Sequence, residues 1–225
     1  MSQEGKIASG QRAAALIESG MIVGLGTGST AECFIHSLIE RTHRDLRIKA
    51  VSSSRSSAEL AKKGGIEVLD INAAPRIDIT VDGADEIDPK KRMIKGGGGA
   101  HVREKILASS STELVVIVDE TKLVPTVGRG KLPIEIIFYG SPATRSKIEA
   151  LGFSGKWRHN EDNTLFISEN GNLIFDLHFP SPPTSPETLH EQICRIPGVV
   201  DTGFFFHLAG RVIVGYPDGH TEIRH

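Results

Sequence analysis

Two textures of apolar residues alternate along the first half of the chain: short unbroken runs, and longer stretches in which every third or fourth position is apolar. Met21-Ile22-Val23-Gly24-Leu25 is an unbroken run between Gly20 and Gly26, as expected of a strand buried on both faces. Ala31, Phe34, Ile35 and Leu38 follow at helical spacing, with Ser29 or Thr30 placed to cap the helix start. Upstream, residues 12–19 read as a helix stopped by Gly20. The alternation continues with a strand at 48–51, a serine loop, a helix through 58–63, strands at 67–71 and 77–81, a helix at 100–109 and a buried strand at 114–118. Strands alternating with helices predict a parallel sheet covered by helices.

From about Gly130 the texture changes. A strand at 132–138, a helix at 141–151, and strands at 165–168 and 173–178 joined through Asn170-Gly171 are followed by a proline-rich loop at 180–186, a helix at 187–196 and a strand at 199–206. Asn-Gly between apolar runs is a hairpin signal. The order βαββαβ resembles a ferredoxin-like unit. The last apolar run, 211–215, is expected to return to the first sheet. The fold class expected is therefore α/β: a Rossmann-like parallel-sheet domain formed by 1–130 plus 207–225, with an inserted ferredoxin-like α+β domain at 131–206.

Composition narrows the function. The 225 residues are 39% hydrophobic and 24% charged, with a formal charge of −2, so no general positive field draws the chain to nucleic acid or an anionic membrane. Any anion must be held locally. No apolar stretch approaches the roughly 18 residues that cross a bilayer, and the first residues lack the order of a signal peptide. The two cysteines, Cys33 and Cys194, are far apart and form no paired-ligand spacing, and the histidines show none either. A cytoplasmic protein with no metal site is expected.

Three motifs carry chemistry. Gly26-Thr27-Gly28-Ser29-Thr30 lies between a strand and a helix, where backbone N–H groups and the positive helix end suit a phosphate. A dinucleotide would want an acid after the next strand, but Ser52-Ser53-Ser54-Arg55 stands there; this weakens NAD and leaves an NADP-dependent reductase as one rival. Asp82-Gly83-Ala84-Asp85 follows Val81 at the carboxyl end of a parallel strand, and crowded carboxylates there can take acid and base roles side by side. Lys95 precedes Gly96, Gly97, Gly98 and Gly99, a run that costs chain entropy and lets backbone approach a ligand closely. In the helix that follows, Val102 and Ile106 are expected to face the core and Glu104 to point the other way, toward a cleft or solvent. Lys122, after another strand end, is a candidate phosphate partner.

In this order and spacing, Gly24-Leu-Gly-Thr-Gly-Ser-Thr, Val81-Asp-Gly-Ala-Asp-Glu, Lys95-Gly-Gly-Gly-Gly-Ala and Arg103-Glu-Lys resemble the type A ribose-5-phosphate isomerases. The resemblance extends through Val118-Asp119 to Lys122, Leu132-Pro-Ile-Glu, Asp162-Asn163, Asn170-Gly-Asn, Ile196-Pro-Gly-Val-Val and Gly203-Phe-Phe, nearly the whole chain. It implies interconversion of ribose 5-phosphate and ribulose 5-phosphate by a homodimer, with no cofactor. It implies Glu104 as the proton acceptor. Thr27 to Thr30, Asp82 to Asp85, Lys95 to Gly98 and Lys122 match the substrate-binding positions, and Lys6 aligns less firmly with an N-terminal lysine. Asp82, Asp85 and Lys95 are expected to assist Glu104 in catalysis. His101 stands where an apolar residue is usual and Thr121 where serine is common. A second rival, a sugar-phosphate sensor, normally carries a DNA-reading module, and no basic helix-turn-helix segment is seen.

Overall fold

The computed structural model describes residues 2–225. Its first half runs α1 (Gln3–Ala14), β1 (Ile22–Leu25), α2 (Ser29–Thr42), β2 (Lys49–Ser52), α3 (Arg55–Lys63), β3 (Glu67–Val68), β4 (Ile79–Asp82), β5 (Glu86–Ile87), β6 (Met93–Ile94), α4 (His101–Ser109) and β7 (Leu114–Asp119). The second half runs β8 (Lys131–Ile136), α5 (Ser141–Glu149), β9 (Ser154–Trp157), β10 (Leu173–His178), α6 (Pro186–Cys194), β11 (Val199–Thr202), β12 (Phe204–Phe205), β13 (Ala209–Gly215) and β14 (Thr221–Arg224).

Two compact units result. The larger comprises the chain up to Ala84, Arg103–Leu123 and His207–His225. Its sheet has the order β14-β13-β7-β4-β1-β2-β3, parallel except for the pairing of β13 with β14. All six residues of β7 are buried, as a strand covered on both faces requires. One core joins Val23, Leu25, Val81, Val115, Ile117 and Ile213 of the sheet to Ala13, Phe34, Ile35 and Leu38 of the helices. A second cluster joins Val51, Ile77 and Leu107. Strand order reverses at β1 and β4, and open sheets of this kind bind ligands outside the carboxyl ends of such strands.

The smaller unit comprises Asp85–Val102 and Val124–Phe206. Its elements β8, α5, β9, β10, α6 and β11 form an antiparallel sheet in the order β11-β8-β10-β9, the ferredoxin-like arrangement expected from the pattern. Ile134, Ile136, Phe175 and Leu177 of the sheet pack with Ile148 of α5 and Leu189 and Ile193 of α6. Full burial of each such side chain is worth about 1.5–3 kcal/mol.

The structure revises several expectations. Residues 85–102 and 124–130, expected in the larger domain, group with the smaller one, because β5 and β6 form a three-stranded sheet with β12 and the Val124 N–H donates to Ile87 O at 2.9 Å. The first helix lies at Gln3–Ala14, not 12–19; Ser2 caps it, and Gly5 and Gly10 do not break it. A Cβ on Gly5 would stand 2.7 Å from Gly215 O, and one on Gly10 2.8 Å from Phe34 N, so both glycines permit close packing. Residues 165–168 form only isolated bridges around the Asn170-Gly171 turn; β9, which alternation did not reveal, pairs with β10 instead. The run 199–206 divides at Gly203, β11 and β12 joining different sheets. The run 211–215 lies within β13 and joins the first sheet, as expected.

Candidate active site

In the larger unit, the loops after β1 and β4 are fastened by one carboxylate. Asp82 Oδ1 accepts from the Thr27 N–H at 3.1 Å and the Gly83 N–H at 2.7 Å, and Asp82 is 2% exposed. A Cβ on Gly26 would fall 2.1 Å from that oxygen, so the first turn can close over Asp82 only with glycine there. Ser57 Oγ donates to Gly26 O at 2.7 Å, and the Thr27 and Ser53 hydroxyls lie 2.7 Å apart.

Neither Ser29 nor Thr30 caps α2. The N-cap is Gly28, at φ 101°, with no side-chain capping bond, and Ser29 is the first helical residue. First-turn N–H groups have no intrahelical acceptor, so this end offers donors and a positive dipole end to an anion. Lys6, from α1, is 6% exposed and its Nζ donates to Ser29 Oγ at 2.8 Å, bringing an ammonium to the same turn.

In the smaller unit the glycine run is held from below. Arg158 Nη1 donates to the Gly96 and Gly97 carbonyls at 2.8 and 3.0 Å, while Nε and Nη2 grip the two oxygens of Asp176 at 3.0 and 2.5 Å. Asp85, itself exposed, accepts the Gly97 N–H on Oδ2 at 2.7 Å. Gly96 has φ 104° with its Cβ position crowded by His101, and a Cβ on Gly99 would strike the Phe166 ring at 2.5 Å. Gly97 and Gly98 face solvent. Lys95 is 3% exposed, with its N–H on Gly203 O at 2.9 Å and its ammonium 5.5 Å from the Phe205 ring centroid. The electron-rich ring face attracts the cation. Two further acids of this stretch are structural: Glu86 accepts from the backbone of Gly128, Arg129 and Gly130, and Asp88 from Lys90, Arg92 and the Arg92 guanidinium.

Glu104 lies in the first turn of α4 and is 4% exposed. The expected orientation of this helix is reversed: Ile106 is 49% exposed, and His101, Glu104, Leu107 and Ala108 are the buried positions. Leu107 packs with Val51 and Ile77, and that contact decides which face turns inward. Lys122 is half-buried in the turn after β7, which Asp119 Oδ1 caps by accepting the Thr121 N–H at 3.1 Å. Gly83 and Ala84 are half-buried.

Sequence reasoning missed Arg158. No motif surrounds it, and its place was hidden with the unrecognised strand β9. Among the described residues, no helix is long and apolar enough to cross a membrane.

The chain is similar to known proteins along nearly its whole length. The family described as Ribose 5-phosphate isomerase A (phosphoriboisomerase A) matches residues 49–219. Ribose-5-phosphate isomerase A of Protochlamydia amoebophila is 44% identical over 222 residues, covering 99% of this chain and 96% of that protein. A D-ribose-5-phosphate isomerase structure in complex with phospho-erythronic acid superposes with a TM-score of 0.95 at 33% identity, covering 100% of this chain and 99% of that one. The Plasmodium falciparum ribose 5-phosphate isomerase structure gives 0.94 at 32% identity, covering 100% and 99%.

Proposed function

The chain belongs to the ribose 5-phosphate isomerase A family, and from that premise we propose that Glu104 is the base that moves the substrate proton. The enzyme interconverts D-ribose 5-phosphate and D-ribulose 5-phosphate, an aldose-ketose isomerisation of the non-oxidative pentose phosphate pathway. In the proposed course the sugar opens to its chain form with help from Asp82 and Asp85. Glu104 then takes the proton from the carbon beside the carbonyl, leaving an enediolate, and returns it to the neighbouring carbon. Asp82 and Asp85 pass a proton between the two oxygens. Lys95 and the amides of Gly96, Gly97 and Gly98 steady the oxyanion. The phosphate is assigned to Thr27, Gly28, Ser29 and Thr30 at the start of α2, with Lys122 as a cationic handle, and Gly83 and Ala84 line the substrate. Lys6 joins the phosphate set through its bond to Ser29. No step calls on a metal or nucleotide.

The observation that carries the reading is the burial of Glu104, 4% exposed on the inward face of α4. A positioned base supplies about 10²- to 10⁴-fold, and one oxyanion donor about 10²- to 10³-fold. Glu104→Gln keeps shape and loses basicity. In a coupled assay from ribose 5-phosphate it is expected to lower kcat by at least about 10²-fold with KM little changed; near-normal turnover rejects the assignment.

A cytoplasmic homodimer completes the proposal. The assembly is supported by exposed apolar residues on the smaller unit, Ile137, Phe138, Tyr139 and Val200, beside the edge strand β11.

A further inference from the structure

Helix α6 and strand β11 bring together three donor side chains to which the isomerisation gives no role. We propose that His190, Cys194 and Asp201 form a binding site for a zinc-class divalent cation. His190 and Cys194 are four residues apart and share one face of α6, and Asp201 reaches them from β11. Their ligand atoms all lie within 4.8 Å of one another.

The three donors are already gathered by weak contacts to the sulfur. Cys194 Sγ lies 3.5 Å from His190 Nδ1, 4.0 Å from Nε2 and 3.8 Å from Asp201 Oδ1. In a tetrahedral site with Zn–S about 2.3 Å and Zn–N or Zn–O about 2.0–2.1 Å, donor atoms stand roughly 3.6 Å apart. With Nε2 and Oδ1 as ligands, the observed 4.0 and 3.8 Å from the sulfur exceed that edge by about 0.2–0.4 Å, so a cation enters by drawing the thiol closer to both.

The surroundings already orient the donors. His190 Nδ1 is 2.8 Å from the hydroxyl of Thr202, a residue 0% exposed, which in the Nδ1–H tautomer accepts that proton and leaves Nε2 as ligand. The ring also meets Phe206 edge-on, with centroids 5.7 Å apart. Asp201 Oδ1 is held by the Thr202 N–H at 2.7 Å. Cys194 is solvent-accessible and not part of a disulfide, so a metal can reach it. One thiolate, one imidazole and one carboxylate favour zinc or cobalt over magnesium or calcium, and three protein ligands leave a fourth position for water. Binding releases the thiol proton and joins α6 to the edge strand β11. The spacing His190-x₃-Cys194-x₆-Asp201 was present in the sequence, but only the fold shows that its last member returns to the first two.

Cobalt titration of the full-length, chelator-treated enzyme tests the site. A thiolate-to-cobalt charge-transfer band is expected, saturating at one ion per chain and displaced by zinc. Cys194→Ser should abolish the band, His190→Ala and Asp201→Asn should each weaken apparent affinity by at least about tenfold, and Cys33→Ser should leave it unchanged. The isomerase rate of each variant verifies that it is folded. A missing band, a band that survives Cys194→Ser, or affinity unaltered in both His190→Ala and Asp201→Asn overturns the proposal.

Discussion

The role proposed for Lys122 separates binding from chemistry at a single residue. A phosphate handle interacts about equally with substrate and transition state, so its loss raises KM and leaves kcat nearly intact. For Lys122→Ala the expected rise in KM is roughly tenfold, about 1.4 kcal/mol, and steady-state kinetics with an unchanged KM removes Lys122 from the phosphate set. At this scale the sequence drew attention to the residues whose type was unusual for a plain loop. Glycines beside hydroxyls, paired acids and a lysine before four glycines all announced themselves. The orientation of Glu104 did not, because a nine-residue helix with few apolar positions leaves its inward face to tertiary packing, and Leu107 outweighed Ile106. Arg158 gave no signal because its partners, Gly96, Gly97 and Asp176, are distant in sequence.

The element that most needs support is the glycine run, whose backbone has little stiffness of its own. Arg158 supplies it through a planar fork, which lysine cannot reproduce. Arg158→Lys should therefore lower kcat, by up to about 10²-fold if the loop shifts by an ångström, without removing any group that touches substrate; full kcat in this variant would show that the clamp is dispensable.

The same clamp sets an acid limit. Burial alone would push the Asp176 carboxyl up, but the hydrogen bonds and charges of Arg158 and Lys131 outweigh it and hold the group below the usual aspartate range. A carboxyl lowered in the folded state contributes stability that is complete above its unfolded pKa and is lost as pH falls through the folded value, here below about pH 4. Trp157, the only tryptophan, adjoins Arg158 and packs edge-on against Phe175 at 5.5 Å. Its fluorescence should change over that acid range, and the change should be missing from Asp176→Asn; identical acid profiles would refute the link. Among the elements, long periodic stretches were legible, whereas β5, β6 and β12, of two residues each, were not, since so short a strand has no period to read.

At the scale of the whole molecule, the two-part architecture was legible because strand-helix alternation gives way to βαββαβ order near Gly130. The exact partition was not, because 85–102 joins the smaller unit through pairing with β12, more than a hundred residues later in the chain. Assembly belongs to this scale as well. Phe138 is 64% and Tyr139 90% exposed, and replacing both with aspartate is expected to convert the proposed dimer to monomers in sedimentation; a native-like sedimentation profile would place the interface elsewhere. Gly203 extends the argument from space to time. Its carbonyl receives the Lys95 N–H, its own N–H reaches Pro133 O at 2.7 Å, and a Cβ there would stand 2.3 Å from Lys95 O. A growing polypeptide therefore cannot complete the seat of that lysine until the segment around position 203 has left the ribosome, so the role proposed for Lys95 becomes available only late in synthesis.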